Sequence, residues 1–121
     1  MNINLNENAF TAIKKIANRI ETLRGLVTVN AYGEVDQWAI IRGERYESEV
    51  ATLTAPLGIG NPVDDIKLGS DIIKLRDMAI EFRGIVASTS YSDIPADEWL
   101  VAKRTALATK INTLATEIGI A

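Results

Sequence analysis

The sequence predicts an all-α protein, an antiparallel four-helix bundle built from two tandem-duplicated helical hairpins. Three observations lead to this prediction. Apolar residues recur every three or four positions in four segments, which is the spacing of one helix face. A motif of Arg-Gly, Val, Tyr, Asp and Trp occurs twice in the same order, at 24–38 and at 83–99. A glycine- and proline-rich linker at 55–63 lies between the two copies.

The similarity between the two halves extends beyond this motif. Apolar positions on either side of it recur as well, for example Ile13 with Ile72 and Leu53 with Leu114. Such self-similarity defines the unit that folds. The expected organisation is one domain, 1–121, with repeat 1 at about 1–60 and repeat 2 at about 61–121.

The first hairpin begins at an asparagine N-cap, Asn6 or Asn8, ahead of the first apolar stripe. Residues 26–32 also have strand-like propensity, but the matching stretch in the second copy has less. We therefore interpret both stretches as fraying helix ends that lead into a corner. Pro56 ends the second helix, because proline lacks the N–H donor and clashes with the preceding turn.

The second hairpin has equally clear signals at its ends. The third helix is predicted from Ser70 onward, because Gly69 interrupts the pattern. Asp93 caps the fourth helix with Pro95 in its first turn, and Gly119 ends it in the left-handed conformation. The four predicted helices are 8–30, 34–54, 70–90 and 94–118.

The apolar stripes of these helices define the expected core. Ile73 and Ile80 widen the stripe of the third helix, which is therefore expected to be the most buried. The predicted core residues are Ile13, Ile16, Ile20, Leu23, Val50, Leu53, Leu75, Phe82, Val86, Leu107, Ile111 and Leu114.

Composition excludes several classes of protein. The chain has no cysteine, so disulfides and thiolate metal sites are absent, and this fits a reducing compartment such as the cytoplasm. No apolar run reaches the ~20 residues of a membrane-spanning helix, and residues 1–8 lack the features of a signal peptide. The net charge is −3 with both signs interspersed, so no nucleic-acid-binding surface is indicated.

The sequence also argues against an enzyme. Without histidine or cysteine, the chain lacks the commonest general base and the softest nucleophile. Glu44, Glu47 and Glu49 are the best candidates for a magnesium or calcium site. Their counterparts in the second repeat are not carboxylates, and helical spacing does not place all three on one face. We therefore expect no cofactor, no metal and no catalytic residue.

The repeated corner has two interpretations. In the structural one, Gly25 and Gly84 leave room for the indoles of Trp38 and Trp99, while Arg24 neutralises Asp36 and Arg83 neutralises Asp97. In the binding one, two Arg–Trp clusters hold an anion or a planar ligand. We favour the structural interpretation. The residues of the alternative ligand corner are Arg24, Trp38, Arg83 and Trp99.

Differences between the copies point to a protein partner. The second helix carries Glu44 and Glu47, whereas its counterpart carries Lys103 and Arg104, so the two faces are complementary in charge. Both faces also fit an ordinary soluble surface. The linker is unusually apolar and either binds a partner or folds over the bundle end. The interaction candidates are Leu57, Ile59, Glu44, Glu47, Lys103 and Arg104.

In length, lack of cysteine and histidine, and Asn-, Thr- and Ala-rich helices, the chain resembles small accessory proteins of tailed phages. This resemblance lies in composition, and no motif carries it. It implies a component of a virion or its assembly, or an inhibitor of a host protein. The predicted function is that of a non-enzymatic protein–protein interaction or assembly protein, such as a phage virion or accessory component, which binds a protein partner or self-associates. The alternatives are a small-ligand-binding helical bundle and an inhibitor that binds a host protein.

Overall fold

A computed structural model describes residues 3–90 and 98–120. These residues form a compact all-α bundle, as the sequence predicts. They contain no β-strand, only an isolated antiparallel bridge between Val29 and Val35. The helices are α1 (Glu7–Arg24), α2 (Gln37–Thr54), α3 (Ile66–Ser90) and α4 (Glu98–Ile118), and a 3-10 turn, Ala55–Leu57, follows α2.

Polar side chains cap the starts of three helices. The Oδ1 atom of Asn6 accepts a hydrogen bond from the Ala9 N–H at 2.8 Å, which confirms Asn6 as the N-cap of α1. Asp36 accepts from the α2 backbone in the same way. Asp65 accepts from the Leu68 N–H at 3.0 Å, so α3 begins at Ile66 rather than at the predicted Ser70.

Of the C-terminal helix ends, that of α1 differs from its prediction. The first helix ends at Arg24 instead of near residue 30, because the β-branched stretch after Gly25 leaves the helix and bridges back to Val35. The second helix ends before Pro56, as expected. Gly119 has a φ of 105° and ends α4 in the left-handed region, as expected. The predicted cap at Asp93 and the turn at Pro95 lie outside the described residues.

The helices pack in the spatial order α2, α1, α3, α4. Extensive interfaces join α1 to α2, α1 to α3, and α3 to α4. Arg24 at the end of α1 bonds to the Ile66 carbonyl at the start of α3, whereas Glu7 at the start of α1 pairs with Arg83 late in α3. These two helices therefore run in opposite directions. Among the described elements α2 has an extensive helix interface only with α1, which leaves much of its surface exposed.

The core lies mainly between α1, α3 and α4. Most of the predicted core residues are buried, but Leu23, Leu53 and Val86 are only partly so. Ile80 is 49% exposed, so the expectation that it widens the buried stripe of α3 is wrong. Small residues complete the core where helices approach closely. Among the described residues, the buried hydrophobic core residues missing from the predicted list are Leu5, Ala9, Phe10, Ala17, Ala39, Ile72, Ala79, Ile85, Ala108, Ala115, Ile118 and Ile120.

A polar cluster crosses the interface between α1 and α3. The side chain of Arg76 is only 12% exposed and donates to Asn18 Oδ1 at 2.8 Å, to Glu21 and to Asp77. The hydrogen bond to Glu21 is the main reason that the pKa of Arg76 is raised above its ordinary value. Nearby, the guanidinium of Arg83 lies 3.7 Å from the centroid of the Phe10 ring. Both arginines therefore hold α1 against α3.

Candidate interaction surface

The segment between α1 and α2 folds into a small hairpin. The Asp36 N–H donates to the Thr28 carbonyl at 2.8 Å, and the Asn30 N–H donates to the Glu34 carbonyl at 2.9 Å. Gly33 closes the turn with a φ of 78°, a conformation that favours glycine. The result is a short projecting element in place of the predicted fraying helix end.

The side chain of Asn30 organises the tip of this hairpin. Its Oδ1 atom accepts hydrogen bonds from the backbone N–H groups of Tyr32 at 2.9 Å and Glu34 at 3.0 Å. Such a local side-chain-to-backbone pattern stabilises a turn without tertiary support. Tyr32 is therefore held at the tip, where its side chain is almost fully exposed.

Large apolar side chains project from this hairpin and from the first turns of α2. Val29 and Val35 face each other across the bridge, so their side chains lie on the same face of the hairpin. Trp38 and Ile41 are three residues apart in α2 and share a face of that helix. We call the set the corner surface; its exposed members are Val27, Val29, Tyr32, Val35, Trp38 and Ile41.

The favoured structural interpretation of the corner is wrong, because both tryptophans are exposed rather than buried. Trp38 is 79% exposed and Trp99 is 65% exposed. A methyl group on Gly84 would meet no atom within 4 Å, and one on Gly25 would meet only backbone of its own helix end. The glycines therefore do not make room for indoles. The reason is that Gly25 ends α1, so no facing helix surface is left beside Trp38.

The predicted arginine partners are also different. Arg24 donates to the Ile66 carbonyl at 3.0 Å, and Asp36 caps α2 instead of pairing with Arg24. Arg83 stacks on Phe10 and pairs with Glu7. Asp97, its predicted partner, lies outside the described residues. Neither arginine stacks on a tryptophan within the described part of the chain, so the four residues of the alternative ligand corner are not brought together.

The two copies of the motif also differ in backbone conformation. The chain leaves the helix after Gly25, but it stays helical through Gly84. In the second copy Ser88 and Thr89 donate to the carbonyls of Gly84 and Ile85, four residues earlier, and so add bonds within the helix. The tandem duplication therefore stays a prediction from sequence.

The linker folds over the bundle end, which is one of the two predictions made for it. Leu57 and Ile59 are partly buried and pack against the core, and Pro62 is fully buried. The apolar linker thus folds over the bundle. The exposed apolar surface lies at the preceding corner instead.

The charged interaction candidates lie in two different settings. Glu44 and Glu47 are exposed on α2. On α4, Lys103 Nζ lies 2.8 Å from Glu81 Oε1, and Arg104 donates to Thr89 Oγ1 at 3.0 Å. The two basic residues are therefore engaged by α3 within the same chain, which reduces their availability to a partner.

A separate open groove of about 700 Å³ lies between α1 and α2. Arg19 and Arg45 approach Glu49 with N–O distances of 2.7 and 3.8 Å, and Arg19 stacks on Tyr46. Lys15 adds a further positive charge to the lining. The groove is thus locally basic in an acidic chain, a feature that the sequence patterns did not identify.

The comparisons and the remaining features do not assign a function. No protein family, curated protein or solved structure matches the chain. Within residues 3–90 and 98–120, no helix is long and apolar enough to cross a membrane. The same part of the chain has no group of three acidic, histidine or cysteine side chains placed to hold a metal ion. The corner surface is the feature that most calls for a functional explanation.

Proposed function

We propose that the chain is a non-enzymatic interaction protein that self-associates or docks through the corner surface. The supporting observation is the concentration of exposed large apolar side chains between Val27 and Ile41. Contiguous apolar patches on soluble proteins mark interaction sites more often than scattered single residues do. In the part of the chain that the structure describes, the other exposed large apolar side chains are Ile66, Ile80 and Trp99, which are separated from this stretch in sequence.

The chemistry of the corner surface fits an interface core. Aromatic residues are enriched at such cores, and Tyr32 and Trp38 are the two most exposed large side chains of the set. Fully burying one large apolar side chain contributes about 1.5–3 kcal/mol. Several together offset an association cost of about 4–15 kcal/mol. Binding to a host protein, as an inhibitor would, uses the same surface.

The test is light scattering over a range of protein concentrations. We expect the average mass of the wild-type protein to rise with concentration. The double variant Trp38→Ser/Ile41→Ser should associate at least about tenfold more weakly, because it removes two apolar side chains from the contact. The matched control, Trp99→Ser/Ile66→Ser, removes two exposed apolar side chains outside the corner surface and should associate like the wild type.

Two outcomes would contradict self-association through this surface. One is a wild-type protein that stays monomeric up to about 1 mM, which corresponds to less than about 4 kcal/mol of association energy. The other is equal weakening by the corner variant and by the control.

The groove between α1 and α2 favours a second candidate function, binding of a small anion. Its guanidinium and ammonium groups outnumber its single carboxylate, Glu49. Calorimetric titration with inorganic phosphate tests it. Binding should be lost in Arg45→Gln and retained in Arg42→Gln, an exposed arginine outside the groove lining. Absence of heat in the wild-type protein at two well-separated temperatures excludes phosphate as the ligand.

A further inference from the structure

The hairpin between α1 and α2 has an edge whose backbone groups are unused. The hydrogen bonds between its arms involve Thr28 with Asp36 and Asn30 with Glu34. The intervening Val29 therefore directs its N–H and C=O away from the other arm, as does Val27 in the same arm, and Ala31 follows at the start of the turn. None of these three residues has a backbone hydrogen bond within the described part of the chain, and all three are exposed.

Resting on the proposed function, we propose that residues 27–31 pair with the same residues of a second copy as antiparallel strands. A two-fold axis at Val29 places Val29 opposite its equivalent and Val27 opposite Ala31. In this register the two Val29 residues exchange both of their backbone hydrogen bonds. The edge of one hairpin thus continues into the other and forms a four-stranded sheet.

Charge permits a second copy as the occupant and distinguishes the two edges. Residues 27–31, Val-Thr-Val-Asn-Ala, carry no charge, so pairing with themselves brings no like charges together. The opposite edge, 34–36, is Glu-Val-Asp. Self-pairing about Val35 would place Glu34 opposite Asp36 twice, and like charges directly opposite each other destabilise a strand pair. Self-association therefore uses the edge at 27–31.

Side-chain chemistry supports the same pairing. Val27, Val29 and Val35 lie on one face of the hairpin, because side chains alternate along an extended strand and face each other across the bridge. A lone two-stranded hairpin is marginally stable, whereas three or more strands with an apolar face are stable in water. The second copy supplies the missing strands and extends the valine face. This explains why β-branched residues occupy an exposed corner of a helical protein.

The experiment compares two proline variants. Val29→Pro removes an outward N–H at the proposed edge, and Val35→Pro removes the equivalent N–H at the other edge. Neither N–H takes part in an intrachain hydrogen bond, so both variants keep the bonds that join the two arms. We expect Val29→Pro to weaken dimerisation by about tenfold or more in sedimentation equilibrium, since two hydrogen bonds are lost per dimer. Val35→Pro also replaces a valine of the corner surface, so the effect of the lost N–H is the excess weakening by Val29→Pro over Val35→Pro, which should be about tenfold. Val29→Thr keeps the N–H and should weaken dimerisation less than Val29→Pro does.

A measurement on the wild-type protein keeps the test decisive if a proline variant misfolds. Amide hydrogen exchange at Val27, Val29 and Ala31 should slow as protein concentration rises, while exchange at Val35 should not. Equal effects of the two prolines, or unchanged exchange at all four amides in an associated sample, would overturn strand pairing. If the Trp38→Ser/Ile41→Ser variant still weakens association in that case, the proposed function stands and only the pairing mode is wrong.

Discussion

Arg24 of α1 lies directly over Gly69 of α3. A Cβ atom on Gly69 would stand 2.8 Å from Arg24 Nη2, which donates to the Ile66 carbonyl at 3.0 Å. The Pro62 carbonyl oxygen and a methyl group of Ile20 would each lie 3.4 Å from the same point. Gly69 is therefore a packing requirement at the junction of α1, α3 and the linker, rather than a break in the helix.

The first prediction contrasts this glycine with Gly84 in the same helix. Gly69→Ala should destabilise the protein by up to about 1 kcal/mol, because the new methyl group displaces the Arg24 guanidinium from the Ile66 carbonyl and this loss outweighs the gain in helix propensity. Gly84→Ala should stabilise it by up to about 1 kcal/mol, since nothing lies within 4 Å of the new methyl group. Urea denaturation measures both. A Gly69→Ala midpoint above that of the wild type would contradict the packing account.

Sequence periodicity was sufficient for the helices and for most of the core. Ile13, Ile16 and Ile111 are fully buried, as their spacing predicts, and the ends at Asn6 and Gly119 follow from local backbone chemistry. These features depend on near neighbours in the chain. Buried alanines were missed because their burial depends on how closely two helices approach, which periodicity alone does not determine.

The corner was predicted less well because identical residues have different neighbours. The Arg-Gly pair ends a helix at Gly25 and continues one at Gly84. The strand-like propensity of 26–32 indicates the hairpin, whereas the weaker propensity of the matching stretch in the second copy favours a fraying helix end. Trp38 is exposed because the chain leaves the helix after Gly25, and the residue type alone does not predict this.

The second prediction concerns the core. Phe82 is 7% exposed and belongs to the main apolar cluster. Phe82→Ala should cost about 3–5 kcal/mol, a large share of the 5–15 kcal/mol typical of a domain. The control is Ile80→Ala in the same helix, whose half-exposed side chain should cost less than about 1 kcal/mol. Similar urea midpoints for the two variants would show that Phe82 is not in the core.

The third prediction concerns the polar cluster around Arg76. Arg76→Lys should destabilise the protein by about 1–2 kcal/mol, because an ammonium cannot reproduce the forked hydrogen bonds to Asn18 and Glu21. Arg42→Lys, at an exposed position, should be nearly neutral.

The pH dependence of this cluster has a definite sign. A raised pKa in the folded state means that the contribution of Arg76 is fully present below the unfolded pKa and is lost only as pH rises above it. The difference in the free energy of unfolding between the wild type and Arg76→Lys should therefore stay constant from about pH 7 to 9. Over this range the arginine of the wild type and the lysine of the variant both remain charged. Urea midpoints that converge over this range would contradict it.

The last prediction concerns the fluorescence of the two tryptophans. Trp99→Phe leaves only the signal of Trp38, and Trp38→Phe leaves only that of Trp99. At low concentration acrylamide should quench both strongly, because each indole is more than half exposed. As concentration rises, quenching of Trp38 should fall, since association through the corner surface removes that ring from solvent. Trp99, beside Lys103 with its Nζ atom 5.4 Å from the ring, belongs to a different corner and should remain equally quenched. Protection of Trp38 in dilute monomer would place it against its own hairpin. Equal protection of both rings at high concentration would indicate association that is not centred on the corner surface.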